Sequence, residues 1–103
     1  MDKIVGLKEI LEQDPKNSFA RYGLAMELAG RGETEAALAE FDTLLANDPG
    51  YTAGYFMAAQ TLASAGRKAE AIEQLKSGVE CAEQRGNRHA VNEMQAMLDE
   101  LER

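Results

Sequence analysis

The pentapeptide LEQDP ends at Pro15, and LANDP ends at Pro49, 34 residues further on. The same displacement lays Ala25 on Ala59, Leu28 on Leu62, Ala29 on Ala63, Gly32 on Gly66 and Ala37 on Ala71. Similar residues coincide at Ser18/Thr52, Tyr22/Phe56, Leu38/Ile72 and Leu45/Val79. Upstream, Ile4, Leu7, Ile10 and Leu11 fall on Leu38, Phe41, Leu44 and Leu45. The matches sit at apolar and small positions in helical register. A fixed period of this length marks units that cannot each bury an apolar face alone and must stack to do so.

Each unit reads as two helices. Ser18 and Thr52 are the expected N-caps, since a hydroxyl can accept from an amide that the first turn leaves unpaired. Leu24, Ala25 and Leu28, and Tyr55, Ala58, Ala59 and Leu62, follow the spacing of one helical face. Gly32 and Gly66 end these helices and tolerate the backbone of a tight turn. Second helices are predicted over Thr34–Asn47 and Lys68–Gln84. Their buried stripes are Ala37, Leu38, Phe41, Leu44 and Leu45, and Ala71, Ile72, Leu75, Val79 and Ala82. Pro49 closes the first unit, because proline cannot continue a helix. A single helix, Asp2–Gln13, precedes the units. Another, from Arg88 to Glu102, follows Gly86 with Val91, Met94, Met97, Leu98 and Leu101 as its apolar side. No sustained alternation signals a strand. The expected fold is all-α, with six helices.

One stretch needs its own explanation. From Pro49 to Gly66 the chain has no charged residue, although 28% of all its residues are charged. A membrane span, a core helix and a partner surface are the candidate readings. The span fails: the helical part reaches at most from Thr52 to Ala65, roughly 21 Å, against the ~20 apolar residues a bilayer requires. Core and partner surface remain.

Composition bounds the function. The 103 residues suit one domain with a modest core. The net charge of −7 argues against nucleic acid, which needs a basic patch; Arg67-Lys68 reads as a solvated helix start. Cys81 is the sole cysteine, so no internal disulfide forms and no oxidising compartment is implied. The N-terminus mixes charged and apolar residues and lacks the apolar core of a signal peptide. The expected location is cytoplasmic, without a membrane association.

The first unit reads Arg21-x2-Leu24-Ala25-x2-Leu28, then Ala37-x3-Phe41, then Pro49. The second reads Tyr55-x2-Ala58-Ala59-x2-Leu62, then Ala71-x3-Leu75, with Glu83 where proline should stand. These residues resemble the tetratricopeptide repeat, a helix–turn–helix unit of about 34 residues. The resemblance implies antiparallel hairpins stacked as a short right-handed superhelix: a half repeat over 1–17, repeats over 18–51 and 52–85, and a capping helix over 86–103. Arg21 replaces a large aromatic, which predicts a partly wet outer corner. The missing proline predicts a second helix that runs on toward Gly86. For function, the resemblance implies a scaffold that binds other proteins, and no enzyme.

In such a stack the first helix of each pair lines the concave face. Removing the core positions leaves a second apolar stripe, and Phe19, Tyr22, Met26, Phe56, Met57 and Gln60 are the candidate partner-binding residues. Aromatic rings give large contact area and methionine adapts its shape, which suits an apolar peptide or helix. The same stripe also fits a groove covered by the chain's own last helix, and both arrangements stay open at this point. Some members of the family hold chaperone tails with a clamp of lysine, arginine and asparagine. The matching places here are Tyr22, Met26 and Met57, so no such clamp is expected. The N-terminal helix lacks its hairpin partner. Met1, Ile4 and Val5 are therefore expected to be partly exposed, and homodimerisation through that edge is the alternative role.

No constellation for chemistry stands out. His89 is the only histidine; it shares a helix face with Glu93, and two side chains do not build a structural zinc site. Gly30-Arg31-Gly32 is a helix ending, not a phosphate loop. Cys81 reads as a half-buried small apolar residue. Neither catalysis nor a metal or other cofactor is expected.

Overall fold

The computed structural model describes residues 2–103; Met1, grouped above with Ile4 and Val5, lies outside the described residues. The helices are α1 (Lys3–Gln13), α2 (Ser18–Gly30), α3 (Thr34–Asn47), α4 (Thr52–Ser64), α5 (Lys68–Gln84) and α6 (Arg88–Leu101), and no strand occurs among the described residues. Each helix packs on the next in the chain, and in addition α2 touches α4 and α4 touches α6. The odd-numbered helices do not touch one another among the described residues. The row in mutual contact is the inside of a curve, so α2, α4 and α6 form the inner wall and α1, α3 and α5 the outer one. The fold is an all-α helical-repeat solenoid with extents of 41 × 29 × 19 Å.

The sequence period recurs in the hydrogen bonds. Gly32, Gly66 and Gly86 have φ of 79°, 77° and 69°, the left-handed conformation that favours glycine. After each, an amide reaches back to a helix carbonyl: Glu33 N–H to Leu28, Arg67 N–H to Leu62 and Asn87 N–H to Ala82, at 3.0, 2.9 and 2.9 Å. The glycine amides themselves donate to Ala29, Ala63 and Glu83. This paired pattern satisfies carbonyls that a helix end otherwise leaves open. The two proline turns match as well. Asp14 N–H donates to Ile10 and Asp48 N–H to Leu44, both at 2.8 Å.

The expected N-caps need correction. Ser18 is not an N-cap: the carboxamide of Asn17 takes that role, its Oδ1 accepting from Ala20 N–H at 2.9 Å. The longer Asn side chain reaches the third amide of the turn, which frees the Ser18 hydroxyl to donate to Asp48 Oδ2 at 2.8 Å. Thr52 is not a cap either; Tyr51 precedes the helix without a side-chain bond, and the Thr52 hydroxyl turns back to the Gly50 carbonyl. The Arg21 corner is partly exposed, as expected, and its guanidinium is engaged. Its side chain is only 16% exposed and meets Glu40 at 2.6 Å, while Nη2 donates to the Pro15 carbonyl at 2.9 Å. At the corresponding place in the next unit, the Tyr55 hydroxyl donates to the Pro49 carbonyl at 2.7 Å. A guanidinium and a phenol thus tie the helix to the same point of the preceding turn.

The core forms two clusters. One gathers Leu11, Ala20, Leu24, Ala25, Leu28, Ala37, Phe41, Leu44 and Ala58. The other gathers Leu38, Ala59, Leu62, Ala71, Leu75, Ala82, Met94 and Leu98. Leu45, Ile72 and Val79, predicted as buried, are half-buried. Two glycines, Gly54 and Gly78, are buried by close approach. A Cβ on Gly54 would lie 3.1 Å from Leu44 Cδ2 and 3.0 Å from Leu45 Cδ2. A Cβ on Gly78 would lie 2.5 Å from Met94 Sδ and 2.7 Å from Tyr55 Cβ. Leu44 and Gly78 are 34 residues apart; one packs onto a glycine, and the other is a glycine that receives a methionine.

Two glycine substitutions should therefore differ in sign. Gly78→Ala overpacks against Tyr55 Cβ, which is fixed to its helix, and should lower unfolding free energy by about 1–3 kcal/mol. Gly6→Ala faces open space in α1 and should raise it by about 0.5–1 kcal/mol. Urea titrations followed by circular dichroism measure both.

Candidate functional site

The inner wall carries two depressions that meet at Met57. The first lies between α4 and α6, with Tyr22 of α2 at one end. Thr52, Ala53, Phe56 and Met57 form one side, and Asn87, His89, Ala90, Glu93 and Met94 the other. Its volume is about 210 Å³, below the roughly 300 Å³ at which ordinary small-molecule pockets begin. It has room for a side chain rather than a metabolite. The second lies between α2 and α4, along Met26, Ala29, Gly30, Met57, Gln60, Thr61 and Ser64.

The structure thus brings Tyr22, Phe56 and Met57 together in one depression and Met26, Met57 and Gln60 in the other. All five are half-buried. Met57, Tyr22 and Met26 pack on the first core cluster and Phe56 on the second. Phe19 joins neither depression and stands 80% exposed at the start of α2. α6 does not lie across the wall; it stands beside α4 and extends the row.

Sequence reasoning missed the contribution of α6. A signal was present: Val91-x2-Met94-x3-Leu98 repeats Arg21-x2-Leu24-x3-Leu28. Asn87 also caps α6 as Asn17 caps α2, accepting from Ala90 N–H at 3.1 Å. The register was hidden because α6 starts 36 residues after α4, whereas α4 starts 34 after α2. The three extra residues of α5 relative to α3, less one removed from the turn, make the difference.

Tyr22 shapes the floor between the depressions. Its ring meets Phe41 edge-on with centroids 6.5 Å apart and tilts against Tyr51 at 5.3 Å. Burial, and then the neighbouring Tyr51, push the Tyr22 hydroxyl above the ordinary phenol range; burial also raises Tyr51 and Tyr55. His89 and Glu93 form an exposed pair at 3.3 Å on the α6 side. Cys81 lines neither depression; its thiol lies 3.5 Å from the Pro49 carbonyl and 3.7 Å from the Thr52 hydroxyl. No group of three metal-ligating side chains occurs among the described residues, and no helix among them is long and apolar enough to cross a membrane.

A row of antiparallel helix pairs, each docked on the next and concave on one side, defines the class: an α-hairpin repeat protein. Within that class the sequence matches the tetratricopeptide repeat profile twice, over residues 7–52 and 22–85, and the chain belongs to that family. It is 29% identical over 100 residues to a TPR repeat-containing protein of Pseudomonas aeruginosa, covering 97% of this chain and 95% of that one. The solution structure of a Bordetella parapertussis protein superposes with a TM-score of 0.85 at 29% identity, over 98% of this chain and 88% of the other. The TPR2B domain of yeast Sti1, solved in complex with pHsp70, superposes with a TM-score of 0.89 at 17% identity, over 96% and 79%. At that identity the likeness is one of fold.

Two measurements check this geometry. A raised phenol contributes stability that is complete below about pH 10 and is lost as pH climbs through the folded value, because the unfolded chain gives up its protons first. The melting temperature should fall above about pH 10, less steeply in Tyr22→Phe. Phe19→Ser should change stability by no more than about 0.5 kcal/mol, whereas Phe56→Ala, which strips packing from the second cluster, should cost several times that in the same denaturant titration.

Proposed function

We propose that this chain is a protein–protein interaction scaffold that holds an apolar peptide or helix of another protein along the wall formed by α2, α4 and α6. One observation carries this reading: Tyr22, Phe56 and Met57 converge on an open depression of side-chain size. Half-buried aromatic and methionine side chains on rigid helices are pre-organised, so a partner that inserts an anchor displaces water without reordering the site. The family supports the same direction, since the TPR2B domain of Sti1 was solved with a protein partner. Phe19, beside the row and largely exposed, would extend the contact toward the first helix. Among the described residues no lysine or arginine lines either depression, which speaks against a clamp for a carboxylate tail.

The test is capture of partners from the native cell extract with wild-type protein and with Phe19→Asp and Gln60→Arg, both at accessible positions that leave the core intact. Expected is a partner retained by wild type and lost by both variants while their helical spectra stay unchanged. Retention of every partner by both variants would sink the groove.

Self-association through the open ends is the second reading. Ile10 favours it: 46% of it is exposed, while Leu44, 34 residues on, is 1% exposed. Two residues oppose it. The fully buried Ala37 and Ala71 let hairpin helices approach closely, and the same register in α1 holds Lys3. Ala25 and Ala59 do so on the inner row, and α6 holds Gln95 there, bonded to Asp99 at 2.9 Å. Light scattering should give a monomer mass independent of concentration. Lys3→Ala combined with Gln95→Ala should make the mass rise with concentration.

A further inference from the structure

The third rung of the inner wall differs in charge from the first two. Residue 36 positions after Met57 is Glu93, and 36 after Ser64 is Glu100. Glu93 and Glu100 are two turns apart, so they share one stripe of α6. On the first rung the places of Met57 and Ser64 are held by Gly23 and Gly30. At these two places the wall is neutral on α2 and α4 and acidic on α6. Glu93 lines the same depression as Tyr22, Phe56, Met57 and Met94, and its side chain is half in water. Its one close partner is His89, a group that is charged only when protonated. Among the described residues lining the depression there is no fixed positive charge.

We infer that the partner segment is cationic and amphipathic: an apolar side chain fills the depression between α4 and α6, and a lysine or arginine beside it lies on Glu93. This rests on the groove reading above and adds its chemistry. An anchor seated against Phe56 and Met94 places its neighbour one helical turn away within reach of the Glu93 carboxylate. An acidic neighbour would meet Glu93 and Glu100 with nothing to offset them. The exposure of Glu93 limits the effect. A rim pair contributes modestly and mainly selects partners, so reversing the partner's charge should change affinity about tenfold rather than a thousandfold.

The experiment is selection from a displayed library of random short peptides on four proteins: wild type, Glu93→Lys, Glu9→Lys and Phe56→Asp. Glu9→Lys makes the same change in net charge on the exposed side of α1, remote from the groove. Wild type should enrich peptides with an apolar anchor and a lysine or arginine within one helical turn of it. Glu93→Lys should shift that position to aspartate or glutamate, and Glu9→Lys should not. A synthetic copy of an enriched peptide with its cation changed to glutamate should bind wild type about tenfold more weakly. Neutral or acidic peptides from wild type overturn the inference, as does an equal shift with Glu9→Lys. Enrichment that Phe56→Asp leaves untouched overturns the groove reading itself. Enrichment that Phe56→Asp abolishes but that shows no preference in charge overturns only the cationic partner.

Discussion

The contact of α4 with four other helices is the constraint on which the molecule depends. α3 and α5 pack on its outer side, and α2 and α6 flank it in the inner row. Both core clusters run through it, one at Ala58 and the other at Ala59 and Leu62. A helix with neighbours on four sides has little surface on which to keep a charge in water, and a buried unpaired charge is costly. The absence of charge from Pro49 to Gly66 follows from that position. So does its composition in small residues, since Gly54, Ala58 and Ala59 let the neighbouring helices come close. What remains uncovered is one strip, where Phe56, Met57 and Gln60 face the concave side.

The hairpin stack transmits its order through backbone groups more than through particular side chains. Three glycine turns close with the same pair of amide bonds, and two proline turns close with the same 2.8 Å bond. At the corner where the family carries a large aromatic, Arg21 and Tyr55 use different chemistry to reach the carbonyl of the preceding proline. The geometry asks for a long side chain with a donor at its tip and an apolar stem, and either residue meets that need. This explains how a repeat keeps its shape while its consensus residues drift.

That distinction also decides what was legible in the sequence. The helices were readable because apolar spacing, glycine stops and prolines all mark the same boundaries: Thr34–Asn47 and Lys68–Gln84 are found where the pattern placed them. The caps were not, because Asn17 and Ser18 are adjacent, both suit the role, and only three-dimensional reach separates them. Gly78 reads as a weak point in a helix until Met94 and Tyr55 close over it. The place of α6 was obscured by a two-residue change of period, so half of the first depression, from Asn87 to Met94, was absent from the sequence-based candidates. Phe19 was included by its spacing alone, and spacing cannot tell a groove wall from an open shoulder.

The two ends of the solenoid are unlike for a physical reason. Among the described residues, α1 is an outer helix with no inner helix before it, and α6 is an inner helix with no outer helix after it. Each would fit the other in a second copy if the close-contact positions were small, as they are inside the stack. Lys3 and Gln95 stand at those positions instead. Their size and polarity oppose the close approach that Ala37 and Ala25 permit inside the stack. The charge distribution then follows the same logic. α4, between two inner helices, carries no charge, whereas α2 carries Glu27 at the place of Thr61. On α6 the places of Met57 and Ser64 hold Glu93 and Glu100, and Glu93 stands half in water at the rim of the depression between α4 and α6.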